Sequence, residues 1–465
     1  MKHFILKIVW QLLIPVITLM FICISCIDNN DKEGENYNPN KPIVLTSFEP
    51  DSGRIRDMVL LDGNNFGTDL SLIEVFFNSS KAKVVGSTGK RILVRVPRLP
   101  GDTCILSVQI GEQKEEYMQK FRYKVAASVT TIAGNGEPSS PDNPPAWEYG
   151  LDNSRLTPVY MTVDSENNLF VSVREGYLFR INTKENTISL IATETQHGYE
   201  QRCPPYVNPY TNVLQIGAEA EDSRDKFMFM DPKEGWVPKT KYIKSWEWNG
   251  LVPPAGWNNV SHPHCLLNED DGYYYTRYVT GLIAKINPET WHAEAIGMTP
   301  SGRALGMTFH PIKKNELWIG YWEENTAGMN NAICTVDVSD TTKYWVDSSI
   351  PGLLTSFKKQ SSGIVAAGHR DGPLSSAEFA LIRQINFDSQ GNLFVGDAGN
   401  DCIRMINTKT MMVETVIGIP QQRGFMDGNR EEALFNQPQG LVVDAEGVIY
   451  VSDWGNNRLR RVAIE

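Results

Sequence analysis

One stretch recurs along the chain and constrains the fold more than any other feature. Met161 to Ser172, Ile385 to Gly396 and Leu441 to Ser452 each read as a strand, a tight turn opened by Asp164, Asp388 or Asp444, and a second strand. Alternating apolar residues on both sides of an Asp/Gly/Asn turn give a β-hairpin. Asp164 to Asp388 spans 224 positions and Asp388 to Asp444 spans 56, so the longer interval is four of the shorter. Three further copies are therefore implied between the first and the last two. Degenerate candidates lie at Pro205 to Gly217, His264 to Arg277 and Met307 to Tyr321.

A hairpin that cannot bury its apolar face alone must stack on its neighbours, and six such units of four strands each form a six-bladed β-propeller. The end of the chain supports this. After Val448 to Ser452 one more strand, Arg458 to Ala463, fits before Glu465, so the last blade lacks its outer strand. Val129 to Gly134 resembles Val413 to Gly418, the run that closes the preceding blade, and is expected to supply that strand and seal the ring.

At the other end, Lys2 and Lys7 precede an apolar run from Ile8 to Ile24 that stops at Ser25 and Cys26, followed by polar and acidic residues. This resembles a bacterial lipoprotein signal peptide over residues 1–25, with Cys26 as the lipidated residue; the alternative is an uncleaved anchor. The acidic residues after Cys26 resemble the export signal of Bacteroidota surface lipoproteins, implying an outer-membrane, extracellular-facing location. Residues 26–41 carry no periodic apolar pattern and are expected to be a flexible tether. Of seven cysteines, Cys104, Cys203, Cys265, Cys334 and Cys402 are scattered singly, which favours buried apolar roles over a disulfide or zinc framework.

From Pro42 to Lys124 short alternating runs separated by Gly, Asn and Pro turns predict a small antiparallel sandwich. Phe48 to Gly53, Leu61 to Gly67 and Val96-Pro97 resemble the immunoglobulin-like IPT/TIG domain. Gly63 and Gly67 are expected at turns that need positive φ. Ile132 to Gly136, Ala367 to Gly372 and Asp453 to Arg460 resemble NHL repeats. The expected organisation is all-β: an Ig-like domain over 42–125 and an NHL-like propeller over 128–465. The combination resembles surface lipoproteins encoded beside glycan-uptake systems in gut Bacteroidota.

Propellers bind ligands where the loops entering the innermost strands and those linking second to third strands converge. The second set holds Arg174, Arg277, Tyr278, Trp322 and Trp454, which break the repeat, and Asp397, Asn400, Asp453 and Asn456, which keep it and suit turn formation. Glu219 to Asp225 and Glu323-Glu324 occupy corresponding positions. Aromatic rings among polar groups suit sugars, whose flat C–H faces stack while hydroxyls find partners. A second cluster, Trp246, Trp248 and Trp257 leading into His264, is too rich in Gly, Pro and Asn for a strand; it reads either as ligand surface or as a loop packed on the blade beneath.

A net charge of -11 argues against a nucleic-acid partner. His262, His264, His310 and His369 do not show the spacing of three convergent zinc ligands, and Glu219, Asp397 and Asn400 are not distinguished as a calcium lactonase site. The expected function is non-catalytic binding of a glycan or oligosaccharide for a neighbouring outer-membrane importer, with no metal or cofactor and with the Ig-like domain as spacer. The alternatives are a propeller enzyme (a metal-dependent lyase, lactonase or hydrolase) and a protein-interaction scaffold.

Overall fold

The computed structural model describes residues 36–464 except 99–102, 125, 141–144, 149, 194–202, 218–225, 254–263, 323–327, 346–349 and 363–367. The signal-like run, Cys26 and Trp257 lie outside the described residues. The chain divides into two compact units after Lys124.

In the first unit, eight strands form antiparallel ladders apart from the short parallel pair Ser52–Gly53 with Gln113–Tyr123. Alternation along Met58–Gly67, Ile73–Phe77 and Thr103–Ile110 turns one side chain in two inward, and the inward aromatic residues meet edge to face: Phe48 on Tyr117 at 5.2 Å and Phe77 on Phe121 at 5.0 Å. Gly67 has φ of 73°, as expected of a turn. Gly63 does not. It lies within Met58–Gly67, and a Cβ there would stand 2.2 Å from the Val44 carbonyl oxygen, so the glycine answers a close backbone approach. Order also starts before Pro42: Asn38 donates its N–H to Asn65 Oδ1, and Asn65 returns hydrogen bonds to the Asn38 and Lys41 carbonyls. The last part of the expected tether is thus held by a side chain 24 or more positions away.

The second unit is a six-bladed β-propeller. Its innermost strands are Pro158–Val163, Tyr206–Val207, Leu266–Leu267, Gly306–Phe309, Ile382–Phe387 and Pro438–Val443. The repeated aspartate has a local cause. Asp164 Oδ1 accepts from the N–H groups of Glu166 and Asn168, Asp388 from Gln390 and Asn392, and Asp444 from Glu446 and Val448. In the degenerate blades the residue directly after the inner strand does the same work with a different side chain: Asn208 accepts from Tyr210 and Thr211, Asn268 from Asp270, and His310 Nδ1 from Ile312 and Lys313. The turn is conserved in geometry while its residue changes.

Apolar clusters fill the wedge between successive blades, such as Phe170, Leu178, Leu214 and Met228 between the first two, and Trp318, Ile333, Ile382 and Leu393 between the fourth and fifth. The sixth blade is completed from the far end of the unit: Ala127–Ala133 pairs antiparallel with Arg458–Ile464, with Val129 opposite Val462 and Thr131 opposite Arg460. Inner strands meet closely at this seam. A Cβ on Gly440 would stand 2.5 Å from the Val159 carbonyl oxygen, so only glycine fits there. Gln384 ties three blades together, its Oε1 accepting from Met161 N and Leu441 N at 3.1 Å each and its Nε2 donating to the Met161 carbonyl.

The aromatic insertion departs from expectation. Ser245–Glu247 is a short strand pairing in parallel with His292–Met298, the outer strand of the third blade, which Leu353–Leu354 and Lys343–Tyr344 extend further. Gly, Pro and Asn crowd the residues after it, leaving these three free to pair.

Trp318 is 2% exposed, packs edge to face on Phe387 at 5.8 Å and donates Nε1–H to Glu316. Trp318→Ala is expected to lower stability by about 3 to 5 kcal/mol, the range for deleting a large buried aromatic side chain. Urea unfolding measures it, and a loss below about 1 kcal/mol would remove Trp318 from the core.

Candidate ligand-binding cavity

Val159, Tyr160, Arg174, Arg303, Leu305, Trp322, Arg383, Gln439 and Trp454 line a cavity of about 240 Å³. Their positions follow from the repeat. Val159, Leu305, Arg383 and Gln439 each stand five places before the turn residue of their blade, second in an inner strand or, for Leu305, just before one. Arg174, Trp322 and Trp454 follow the second strands Asn168–Val173, Glu316–Gly320 and Ile449–Asp453. Entering loops and second-to-third loops of the first, fourth, fifth and sixth blades thus converge on one spot.

The backbone beneath is held. Trp322 donates its N–H to the Arg303 carbonyl, Arg174 donates to the Thr157 carbonyl, and Trp454 opens a one-turn 3-10 helix, Trp454–Asn456. Val159, Tyr160 and Leu305 form an apolar base on which Trp322 and Trp454 rest, half-buried. The Arg383 guanidinium lies 3.5 Å from the Trp322 ring centroid and that of Arg303 lies 5.8 Å from it, so the indole is a platform for cations. Trp322 Nε1 is buried without a hydrogen-bond partner.

Arg174, Trp322 and Trp454 are thus brought together, and the other expected site residues that the structure describes are not. Arg277 is buried, donating to Thr299 Oγ1, the Pro300 and Gly302 carbonyls and Tyr321 Oη, with its guanidinium over the Tyr321 ring. It ties loops together and presents nothing to a ligand. Tyr278 is 1% exposed within a cluster with Leu251 and Leu282, on which Trp246 and Trp248 pack. Trp246 and Trp248 stack on each other at 5.0 Å, so the described part of the second aromatic cluster covers the blade beneath. His264 is buried with Nε2 3.2 Å from the carbonyl of Leu305, a residue of the cavity wall, and positions that wall without reaching the cavity. Trp257, His262, Glu219 to Asp225 and Glu323-Glu324 lie outside the described residues.

Arg303, Arg383, Tyr160 and Gln439 are the residues that sequence reasoning missed. The signal was present: aligning the hairpins on their turn residue puts Arg383 and Gln439 at one position of the inner strand, a place where a buried strand otherwise carries Val159 or Leu305.

Asp397, Asn400, Asp453 and Asn456 form duplicated structural networks. Arg404 Nη1 donates to Asp397 at 2.8 Å and Arg460 Nη1 to Asp453 at 2.5 Å, both guanidiniums fully buried; Asn400 and Asn456 donate to the same carboxylates. Burial pushes both aspartates up to about 6 against the pull of their arginines. Among the described residues no three His, Cys, Asp or Glu side chains come together as metal ligands. His310 and His369 lie apart, each bonded to a threonine hydroxyl, Thr408 and Thr415.

Comparison with known proteins agrees with this architecture. Residues 42–123 match the IPT/TIG domain and residues 435–461 match the NHL repeat, as the resemblances in the sequence indicated. NHL repeat-containing protein 2 of Homo sapiens is 26% identical over 110 residues, a match covering 23% of this chain and 15% of that protein. Among solved structures, a Bacteroides thetaiotaomicron protein of unknown function shares the fold at TM-score 0.62 and 18% identity, over 93% of this chain and 100% of that one. An auxiliary nutrient binding protein from the same organism superposes at TM-score 0.57 and 21% identity, covering 92% and 99%. One from Bacteroides ovatus superposes at 0.56 and 19%, covering 93% and 100%.

His264 gives this wall a pH dependence. Burial pushes its pKa down to about 3, with Arg277 adding to the depression and the Leu305 carbonyl partly opposing it. The folded protein therefore holds a neutral imidazole, while the unfolded chain takes up a proton near pH 6.5. Stability from this group is complete above about pH 6.5 and is lost as pH falls toward about 3, by up to about 1.4 kcal/mol per pH unit. His264→Gln, which keeps a donor for the carbonyl, is expected to lose about 1 to 2 kcal/mol less than the natural protein between about pH 6.5 and pH 5. Parallel stability–pH curves from urea unfolding would contradict this.

Proposed function

We propose that the protein is a non-catalytic, lipid-anchored surface lipoprotein that binds a glycan or oligosaccharide at the propeller cavity for a neighbouring outer-membrane uptake system. The observation that carries the reading is the meeting of Trp322 and Trp454 with polar side chains in one cavity of about 240 Å³. Two proteins that share the fold over more than nine-tenths of this chain bear the description auxiliary nutrient binding protein, which supports a nutrient as the ligand. The lysines, apolar run and Cys26 at the start of the sequence support an acylated cysteine followed by an acidic export signal. The IPT/TIG domain serves as the spacer between anchor and propeller. Among the described residues His264, His310 and His369 do not come together as metal ligands, which counts against the zinc-lyase alternative.

Affinity electrophoresis of the purified protein in gels containing a panel of neutral and acidic polysaccharides tests the reading. At least one polymer is expected to retard it. Trp454→Ala and Trp322→Ala are each expected to weaken that binding by about 1 to 3 kcal/mol without the loss of stability seen for Trp318→Ala. Absence of retardation across the panel would sink the proposal, and so would product release on incubation with the bound polymer.

A further inference from the structure

A second cavity, of about 200 Å³, lies toward the other end of the inner strands and shares no lining residue with the one at Trp322. One position of the repeat builds its wall. Tyr206, Leu266, Thr308 and Asn386 each stand two places before the turn residue of their blade, whereas the first cavity takes residues five places before it. Arg383 in the first wall and Asn386 in the second are three residues apart on one strand, about 10 Å at the rise of a β-strand. At the level between them Gln384 accepts from the N–H groups of Met161 and Leu441, and His264 reaches the Leu305 carbonyl. Side chains that cross from blade to blade thus stand between the two cavities. The turns that follow all six inner strands, on the side of the second cavity, lie among the described residues.

The polar groups of this wall have hydrogen-bonding capacity left over. Tyr206 Oη and Thr308 Oγ1 bond no described residue, and Asn386 uses only its Oδ1, on the Val443 N–H, which leaves both amide hydrogens. Burial, with the Glu269 carboxylate adding to it, pushes the Tyr206 phenol up, so it stays a hydroxyl that both donates and accepts. Glu269 and Lys314 pair at 3.1 Å, both partly exposed, and cancel in charge. His310 Nδ1 accepts from the Ile312 and Lys313 N–H groups, and its Nε2 meets the Thr408 hydroxyl, which suits a neutral ring. The lining therefore carries no net charge, and Leu266, Phe309 and Phe387 supply apolar surface between its polar groups. An ionic ligand finds no uncompensated partner in such a wall, and a purely apolar one would strand a phenol, a hydroxyl and an amide.

We propose that this cavity is a second carbohydrate site, separate from the one at Trp322 and Trp454, that takes a neutral pyranose unit. Its hydroxyls meet Tyr206, Thr308, Asn386 and the Glu269–Lys314 pair, while its C–H faces meet Phe309 and Phe387. The surface ion pair contributes little to stability, so turning its two groups toward ligand hydroxyls costs little.

Titration calorimetry on the full chain tests this with oligomers of glucose, mannose, galactose and xylose, and of glucuronate, mannuronate and galacturonate. The natural protein is compared with a Trp322→Ala/Trp454→Ala double variant, which removes the first site. At least one neutral oligomer is expected to bind the double variant, and more tightly than any of the uronates. Tyr206→Phe and Thr308→Val, each added to the double variant, remove only hydroxyls that bond no described residue. Each is expected to keep the melting temperature and to weaken that binding by roughly 3- to 10-fold, the scale of one neutral hydrogen bond. Binding that disappears in the double variant, or that neither Tyr206→Phe nor Thr308→Val changes, overturns the second site while leaving the first in place. Uronates that bind the double variant as tightly as neutral oligomers overturn the neutral assignment. Absence of binding in both proteins overturns the second site and counts against the first.

Discussion

The pairing of Ala127–Ala133 with Arg458–Ile464 holds the propeller together, because it removes the one edge that a linear series of blades would leave open. It joins segments that are more than 300 positions apart. Its effect reaches the cavity, whose walls come from both sides of the seam: Tyr160 and Arg174 belong to the first blade, and Gln439 and Trp454 to the sixth. Gly440 lets the two inner strands approach to backbone contact, and Gln384 spans from Met161 to Leu441 across the junction. A cavity so divided exists only in the closed ring.

Charge is handled in two separate ways in the same blades. Arg404 and Arg460 stabilise the loop geometry through buried ion pairs whose desolvation is offset by several hydrogen bonds at once: the guanidiniums donate to backbone carbonyls, and the carboxylates accept from asparagine and from backbone N–H groups. These pairs hold the turns from which Ala398 and Trp454 project, and the short helix at Trp454 starts directly after Asp453. At the cavity, Arg303 and Arg383 lie instead over the Trp322 ring, which orients a guanidinium.

Departures from the repeat follow the same division between local and distant causes. His310 stands where other blades have Asp or Asn and accepts the same turn N–H groups, so a histidine that invites a metal reading is a turn residue. Arg277 and Arg174 both lie at the end of a second strand. Arg277 meets Thr299, Pro300, Gly302 and Tyr321 and is consumed by them, while Arg174 donates its backbone N–H to the Thr157 carbonyl and has its side chain in the cavity lining.

The sequence by itself determined the hairpin, the number of blades, the strand that closes the ring and the Ig-like domain before it. Each of these depends on period-two alternation and on turns whose side chains bond backbone two to four residues on, so the cause lies within a dozen positions and is written there. It also marked Trp322, Trp454 and Arg174 as deviations from the repeat. Only the tertiary structure decided that Tyr278, Arg277 and Trp248 are packing, that His264 supports the wall from behind, and that Arg303 and Arg383 join Trp322. Those outcomes depend on which neighbour occupies the adjacent space, and in a ring that neighbour belongs to another blade, tens or hundreds of residues away.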